Sequence, residues 1–198
     1  MADDHAAKAI SSYGGGLNDT PNIDRIAHEG VRFDHCYVTN SICTPSRAAI
    51  LTGTYNHVNC VKTLDTHMDN DLPHVAKHLQ TGGYQTAIVG KWHLGEGKLH
   101  EPKGFNFWSV LPGQGEYFDP FMIEMGTERE EFGYVTDIIT SKCINWLNSR
   151  DESKPFFLMC HHKAPHREWE PHPKNRNLFD EDINCLLYTS DAADDGVG

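Results

Sequence analysis

Apolar residues along this chain fall into short runs, some at helical spacing and some continuous, divided by glycines and prolines. Thr20 is placed as a helix N-cap with Pro21 at the first helical position, and the helix closes at Gly30. A short strand is expected from Val31 to Tyr37. Pro45 to Leu51 reads as a second helix stopped by Gly53, and Leu72 to Gln80 as a third, with apolar residues at 72, 75, 76 and 79 and a Gly82-Gly83 stop. Gln85 to Gly90 is an apolar run of the kind found in buried strands. From Gly95 to Met125 the periodicity disappears, which predicts a long functional loop region. Helical spacing returns from Tyr134 to Leu147, anchored by Val135, Ile138, Ile139 and Trp146, and Pro155 to Cys160 is another short apolar strand. Strands alternating with helices predict an α/β domain around a mostly parallel central sheet, with sites at strand C-terminal ends.

Length and charge narrow the picture. The 198 residues suffice for one domain or part of one, and 38% hydrophobic content is compatible with a globular core. A formal net charge of -11, with Lys and Arg never clustered, argues against nucleic acid or an anionic membrane as partner. No window approaches the length of a membrane span, and no apolar stretch follows a basic start. The six cysteines are widely spaced with no C-x-x-C pair, so they indicate neither a zinc site nor a dense disulfide framework.

Both termini depart from the pattern. An apolar strand is expected just before Asp3-Asp4, where only Met1 and Ala2 stand. At the other end, Cys185 to Asp195 resembles the in-frame translation of a transposon-end sequencing adapter. Residues 1–184 are therefore expected to form a partial domain and 185–198 a non-biological tail.

Four groups of residues carry candidate chemistry. In Cys43-Thr44-Pro45-Ser46-Arg47, the proline begins a helix, so Cys43 sits where free N–H groups and the helix dipole favour an anion, and Arg47 adds a permanent charge. An isolated cysteine there would be read as a structural thiol. Asp3-Asp4 suits a hard cation with oxygen ligands, although a lone pair of aspartates is more often a solvated loop. Lys91 and His93, in Gly90-Lys91-Trp92-His93-Leu94-Gly95, point to one side of an extended chain with Trp92 opposite. His161-His162-Lys163-Ala164-Pro165-His166, with His172 beyond, suggests zinc by its histidines, but no cysteine or carboxylate keeps rhythm with them.

Taken together these motifs resemble the type I, formylglycine-dependent sulfatases. Cys43 to Gly53 matches the pattern C-x-P-S-R-x-x-x-L-T-G at every fixed position, Gly90 to Gly95 matches G-K-W-H-L-G, and Ala164-Pro165-His166 matches A-P-H. The resemblance extends over nearly all of residues 2 to 180. It implies an alkaline-phosphatase-like fold, incomplete at both ends. Cys43 would be oxidised to formylglycine by a maturation enzyme, and its hydrated diol would supply the nucleophilic oxygen. Asp3, Asp4 and residue 43 would hold one calcium ion, and Arg47 and Lys91 would bind the sulfate. His93 would take a proton from the diol so that sulfate is expelled, and His166 would assist the departing alcohol. The family's remaining metal ligands and a further lysine fall beyond residue 184, so the chain alone is expected to have a half-built metal site and negligible turnover. Lys163 to Pro171 and the aromatic stretch 104 to 121 resemble enzymes acting on sulfated glycans, N-acetylglucosamine-6-sulfatases among them. Two alternatives remain open: a phosphonate monoester or phosphodiester hydrolase of the same superfamily, and a non-catalytic glycan-binding relative. Family members are commonly exported to a periplasm, lysosome or extracellular space.

Overall fold

The computed structural model of the chain describes residues 1–179; the segment expected to be foreign, 185–198, lies outside them. Two compact units are present, one of Met1–His5 and Phe33–Trp169, the other of Ala6–Arg32 with the chain from Glu170. In the second, helix α1 (Pro21–Glu29) begins after Thr20 as the sequence predicts. The Thr20 hydroxyl does not cap the helix backbone; it accepts from the Ser11 N–H at 3.0 Å and donates to Asp24 Oδ1 at 2.9 Å. That carboxylate also takes the Ser12 N–H at 2.9 Å, tying the 3₁₀ turn Ser11–Tyr13 to the first turn of α1.

The first unit is a sheet with helices on it. Its helices are α2 (Cys43–Thr52), the single turn α3 (Asn56–Asn59), α4 (Val75–Thr81) and α5 (Val135–Ser149), and its strands β1 (Gln85–Lys91), β2 (Phe107–Leu111), β3 (Phe121–Glu124), β4 (Thr127–Glu130) and β5 (Phe156–His161). Strand order is β4-β3-β2-β1-β5. The central trio β2-β1-β5 is parallel, as expected, while β3 and β4 add an antiparallel hairpin outside β2. Two of the predicted assignments need correction. The strand expected over 31–37 is absent: Val31, Phe33 and Tyr37 are exposed, and no described strand pairs with them to satisfy their backbone groups. Nor is the stretch from Gly95 to Met125 irregular throughout, since β2 and β3 lie within it.

β1 is buried on both faces because it is central. Ile88 joins Ala48, Leu51, Ala76, Trp92 and Trp108 in one cluster, and Val89, one residue on, joins Leu111, Val135 and Ile139 in the other. α4 packs on β1, and α5 lies over β1 and β5. At the carboxyl end of β1 the two parallel strands close tightly. Gly90 pairs with His161 at a φ of 104°, and a Cβ there would stand 1.9 Å from the His161 carbonyl oxygen. Only glycine lets the strand ends that carry Lys91 and His161 approach this closely.

Candidate active site

Every predicted site residue belongs to the first unit, and most of them meet beyond the carboxyl ends of β1 and β5. α2 begins at Cys43, with Pro45 in the first turn, where its missing N–H has no intrahelical partner to lose. Gly53, at a φ of 67°, ends the helix through its N–H to the Ala49 carbonyl at 2.8 Å. Cys43 and Arg47 are four residues apart and so share one side of α2. Ala48 and Leu51 anchor the helix in the core.

Residues 1–3 run extended along the outer edge of β5. The Met1 amino group donates to the Cys160 carbonyl at 2.6 Å, the His162 N–H to Met1 at 3.0 Å and the Asp3 N–H to Ala164 at 3.1 Å. This places the Asp3 carboxylate against two cations. Arg47 Nη2 donates to Asp3 Oδ1 at 3.2 Å, and the Lys91 ammonium donates to Asp3 Oδ2. Asp3 is 5% exposed, Arg47 4% and Lys91 0%, so this network is largely buried. Burial by itself raises the Asp3 carboxyl, but the Lys91 ammonium and the Arg47 guanidinium outweigh it and hold the group below the usual carboxylate range. Arg47 also donates through Nη1 to the Lys91 carbonyl at 2.8 Å. Its Nε is buried with no partner among the described residues, leaving a cationic donor to spare for an anion.

Asp4 behaves differently from its neighbour. Its side chain is 60% exposed, and its carboxylate lies 3.6 Å from His166 Nε2. Ligand atoms of Asp3, Cys43 and His166 lie within 4.8 Å of one another, the one such group among the described residues. The expected metal set of Asp3, Asp4 and Cys43 therefore differs from the cluster found in one member, with His166 in the place of Asp4. Two carboxylates suit a hard cation; a thiol suits it poorly, and an oxygen at position 43 would complete the match. Among the described residues of the first unit, His161, His162 and His166 form no metal-binding group with one another; of the three, only His166 enters the group with Asp3 and Cys43.

His93 takes a left-handed backbone, φ 53°, so the chain leaves the extended form there, while Trp92 turns into the core. Its Nδ1 lies 3.4 Å from the Thr44 hydroxyl, beside Cys43. Burial, then the Lys91 and Arg47 charges, lower its pKa to about 4. Three further residues, to which the resemblance assigns no role, belong to the site. His161, the last residue of β5, places Nδ1 3.3 Å from Arg47 Nη1 and 3.2 Å from the Lys91 carbonyl, and burial followed by the Arg47 charge lowers its pKa to about 3. Gln114 accepts from the Lys91 ammonium through its side chain and from Lys163 through its backbone carbonyl, the latter at 3.3 Å. Lys163 lies over the Tyr117 ring at 4.8 Å, and the Tyr117 hydroxyl donates to the His166 carbonyl. Strand adjacency could have pointed to His161, since a residue ending a strand parallel to β1 faces the same rim.

A pH dependence follows. His74, buried ahead of α4, is also lowered to about 4 by burial. All three histidines are held neutral by the fold, so their contribution is complete above the ordinary pKa of 6.5 and is lost as pH falls toward 4 and 3. Denaturant unfolding is expected to show stability falling by on the order of a few kcal/mol from pH 7 to pH 4. A flat profile over that range would refute the neutral assignment.

The arrangement can bind a tetrahedral anion, hold a nucleophile at a helix N-terminus and move protons through neutral histidines. Comparison with known proteins agrees. The family profile described as Sulfatase matches residues 1–198. An N-acetylglucosamine-6-O-sulfatase of Bacteroides thetaiotaomicron is 50% identical over 92% of this chain and 33% of its own, and an N-acetylglucosamine-6-sulfatase of Bos taurus is 31% identical over 78% and 31%. A structure of a protein in complex with its substrate D-glucosamine-2-N,6-O-disulfate superposes with a TM-score of 0.89 at 49% identity, covering 93% of this chain and 37% of the other. The chain thus spans about a third of the length of the curated relatives it matches. With the signature cysteine at a helix start, the buried cations around it and these likenesses in agreement, the chain belongs to the sulfatase family.

Proposed function

We propose that this site serves a sulfuric ester hydrolase, which removes sulfate from a sulfated glycan through a formylglycine made from Cys43 and one calcium ion. The observation that carries the reading is the half-buried Cys43 at the start of α2, with Arg47, Lys91, His93 and His166 around it. Burial pushes the Cys43 thiol up, more than the Lys91 charge brings it down, so the unmodified residue is a protonated and weak nucleophile. Formylglycine would supply a hydrated carbonyl oxygen in its place, and a maturation enzyme is the partner this requires. Arg47, through its unpartnered Nε, and Lys91 bind the sulfate oxygens and stabilise charge as the S–O bond breaks. His93, neutral at working pH, accepts the proton, and His166 stands toward the departing alcohol.

Asp3, Asp4 and an oxygen at residue 43 would hold the calcium. When bound, the ion would add positive charge opposite the sulfate and the attacking oxygen. Calcium takes about six to eight oxygens, so the described residues supply only part of its shell. The glycan unit is inferred from the relatives, whose names specify N-acetylglucosamine 6-sulfate, and from the neighbour solved with a 6-O-sulfated glucosamine. Export from the cytosol belongs to the same reading and rests on the family alone. The test is release of sulfate from N-acetylglucosamine 6-sulfate by the intact protein that carries this sequence, with and without a calcium chelator. Release that stops on chelation and returns with calcium is expected. No release from sulfated sugars or aryl sulfates would overturn the reading.

A further inference from the structure

His93, whose ring lies 3.4 Å from the Thr44 hydroxyl next to Cys43, lines one of two cavities. The first, of about 280 Å³, is lined by Asp3, Asp4, Cys43 and Arg47, the groups assigned above to sulfate, nucleophile and metal. The second, of about 340 Å³, is used by no step described so far and is lined by Leu64, Asp65, His67, His93, Glu96 and the backbone around Gly113. No lysine or arginine lines it. Among the described residues, the Asp65 and Glu96 carboxylates make no hydrogen bond or ion pair, so both are acceptors without donors. Glycines leave room in the cavity wall: a Cβ at Gly95 would collide with the His100 ring at 2.5 Å, and one at Gly113 would press on Glu96 Oε1 at 3.2 Å. His67 is held edge-on against His100 with ring centroids 4.6 Å apart, giving the cavity a flat wall.

We propose that this second cavity holds the sugar ring whose ester is cleaved, with Asp65 and Glu96 accepting hydrogen bonds from its hydroxyl groups. The inference rests on the sulfatase reading and extends it. Its size is at the lower end of small-ligand pockets, about 300 Å³ upward, which suits one monosaccharide rather than an oligosaccharide. The cavity beside Cys43 offers Arg47, and its Asp3 is already paired with Arg47 and Lys91, whereas the second cavity holds two carboxylates and no cation, so the substrate enters with its ester toward Cys43 and its polyol face toward Asp65 and Glu96. Carboxylate-to-hydroxyl hydrogen bonds are charge-assisted, and a substrate lacking the hydroxyls leaves the acceptors unanswered. A second acidic substituent pointing into this cavity would be rejected for the same reason.

The experiment compares kcat/KM for N-acetylglucosamine 6-sulfate and for 4-nitrophenyl sulfate, which has no sugar hydroxyls, in the intact protein and its Asp65→Asn and Glu96→Gln variants. Both side chains are exposed, so the fold should tolerate the changes. The sugar-to-aryl ratio is expected to fall about tenfold or more in each variant, mainly through KM. An unchanged ratio in both variants would overturn the proposal. If the unaltered protein cleaves neither ester, the sulfatase reading fails instead, and the cavity is then judged by titrating N-acetylglucosamine 6-sulfate into the Cys43→Ala protein. Binding weakened about tenfold by Glu96→Gln supports the cavity; no binding, or equal binding, overturns it.

Discussion

Replacing Cys43 by alanine should lower kcat for sulfate ester hydrolysis by on the order of 10⁵-fold, with KM changed little. The reason is local. The substitution removes the only atom from which the nucleophile can be made, while Arg47 and Lys91, which bind the sulfate, keep their contacts with Asp3 and the Lys91 carbonyl. Alanine is at home in a helix and Cys43 is only half-buried, so the melting temperature should move little. Steady-state kinetics with a sulfated sugar, beside a thermal melt, separates the outcomes. A fully active Cys43→Ala protein would point to a different nucleophile, and unchanged glycan affinity with no turnover in either form would favour the non-catalytic binding relative.

The largest structural effect is expected at Gly90. An alanine there must hold a φ of 104° and place its Cβ 1.9 Å from the backbone oxygen of His161, so either β1 or β5 must move. Strain and overlap together should cost about 4 kcal/mol. The strand ends that separate are those carrying Lys91 and His161, so activity should fall with stability. Gly53→Ala is the control, because at a φ of 67° its Cβ meets nothing within 4 Å and only backbone strain of about 1 kcal/mol remains. Urea unfolding of the two variants checks this; equal, small losses would mean that the strand ends are not clamped as described.

The parts of the fold that were legible in the sequence share one property: their hydrophobic pattern is sufficient without knowledge of a partner. β1 and β5 are continuous apolar runs, and α2 and α5 carry helical spacing with clear stops. β4, Thr-Glu-Arg-Glu, is exposed at every position and exists only because it pairs with β3. The Val31 to Tyr37 segment fails in the opposite sense: its alternation suits a strand, but no described strand stands beside it. Pattern alone cannot supply the hydrogen-bonding neighbour that a strand requires.

The site divides the same way. Cys43, Arg47, Lys91, His93 and His166 were legible because fixed motifs hold them at short spacing. The role of Asp3 as counterion to two buried cations was not, since it arises from residues 1–3 lying on β5 and from Arg47 reaching across to β1. His161 and Gln114 enter through strand adjacency and a loop return, which local sequence does not encode.

The central claim is that Cys43 is the precursor of an oxygen nucleophile, and the most direct measurement is the mass of the peptide holding residue 43 from protein made in a host able to mature sulfatases. An aldehyde in place of the thiol in the active preparation is the predicted result. An unmodified cysteine at position 43 in a preparation that hydrolyses sulfate esters would contradict it.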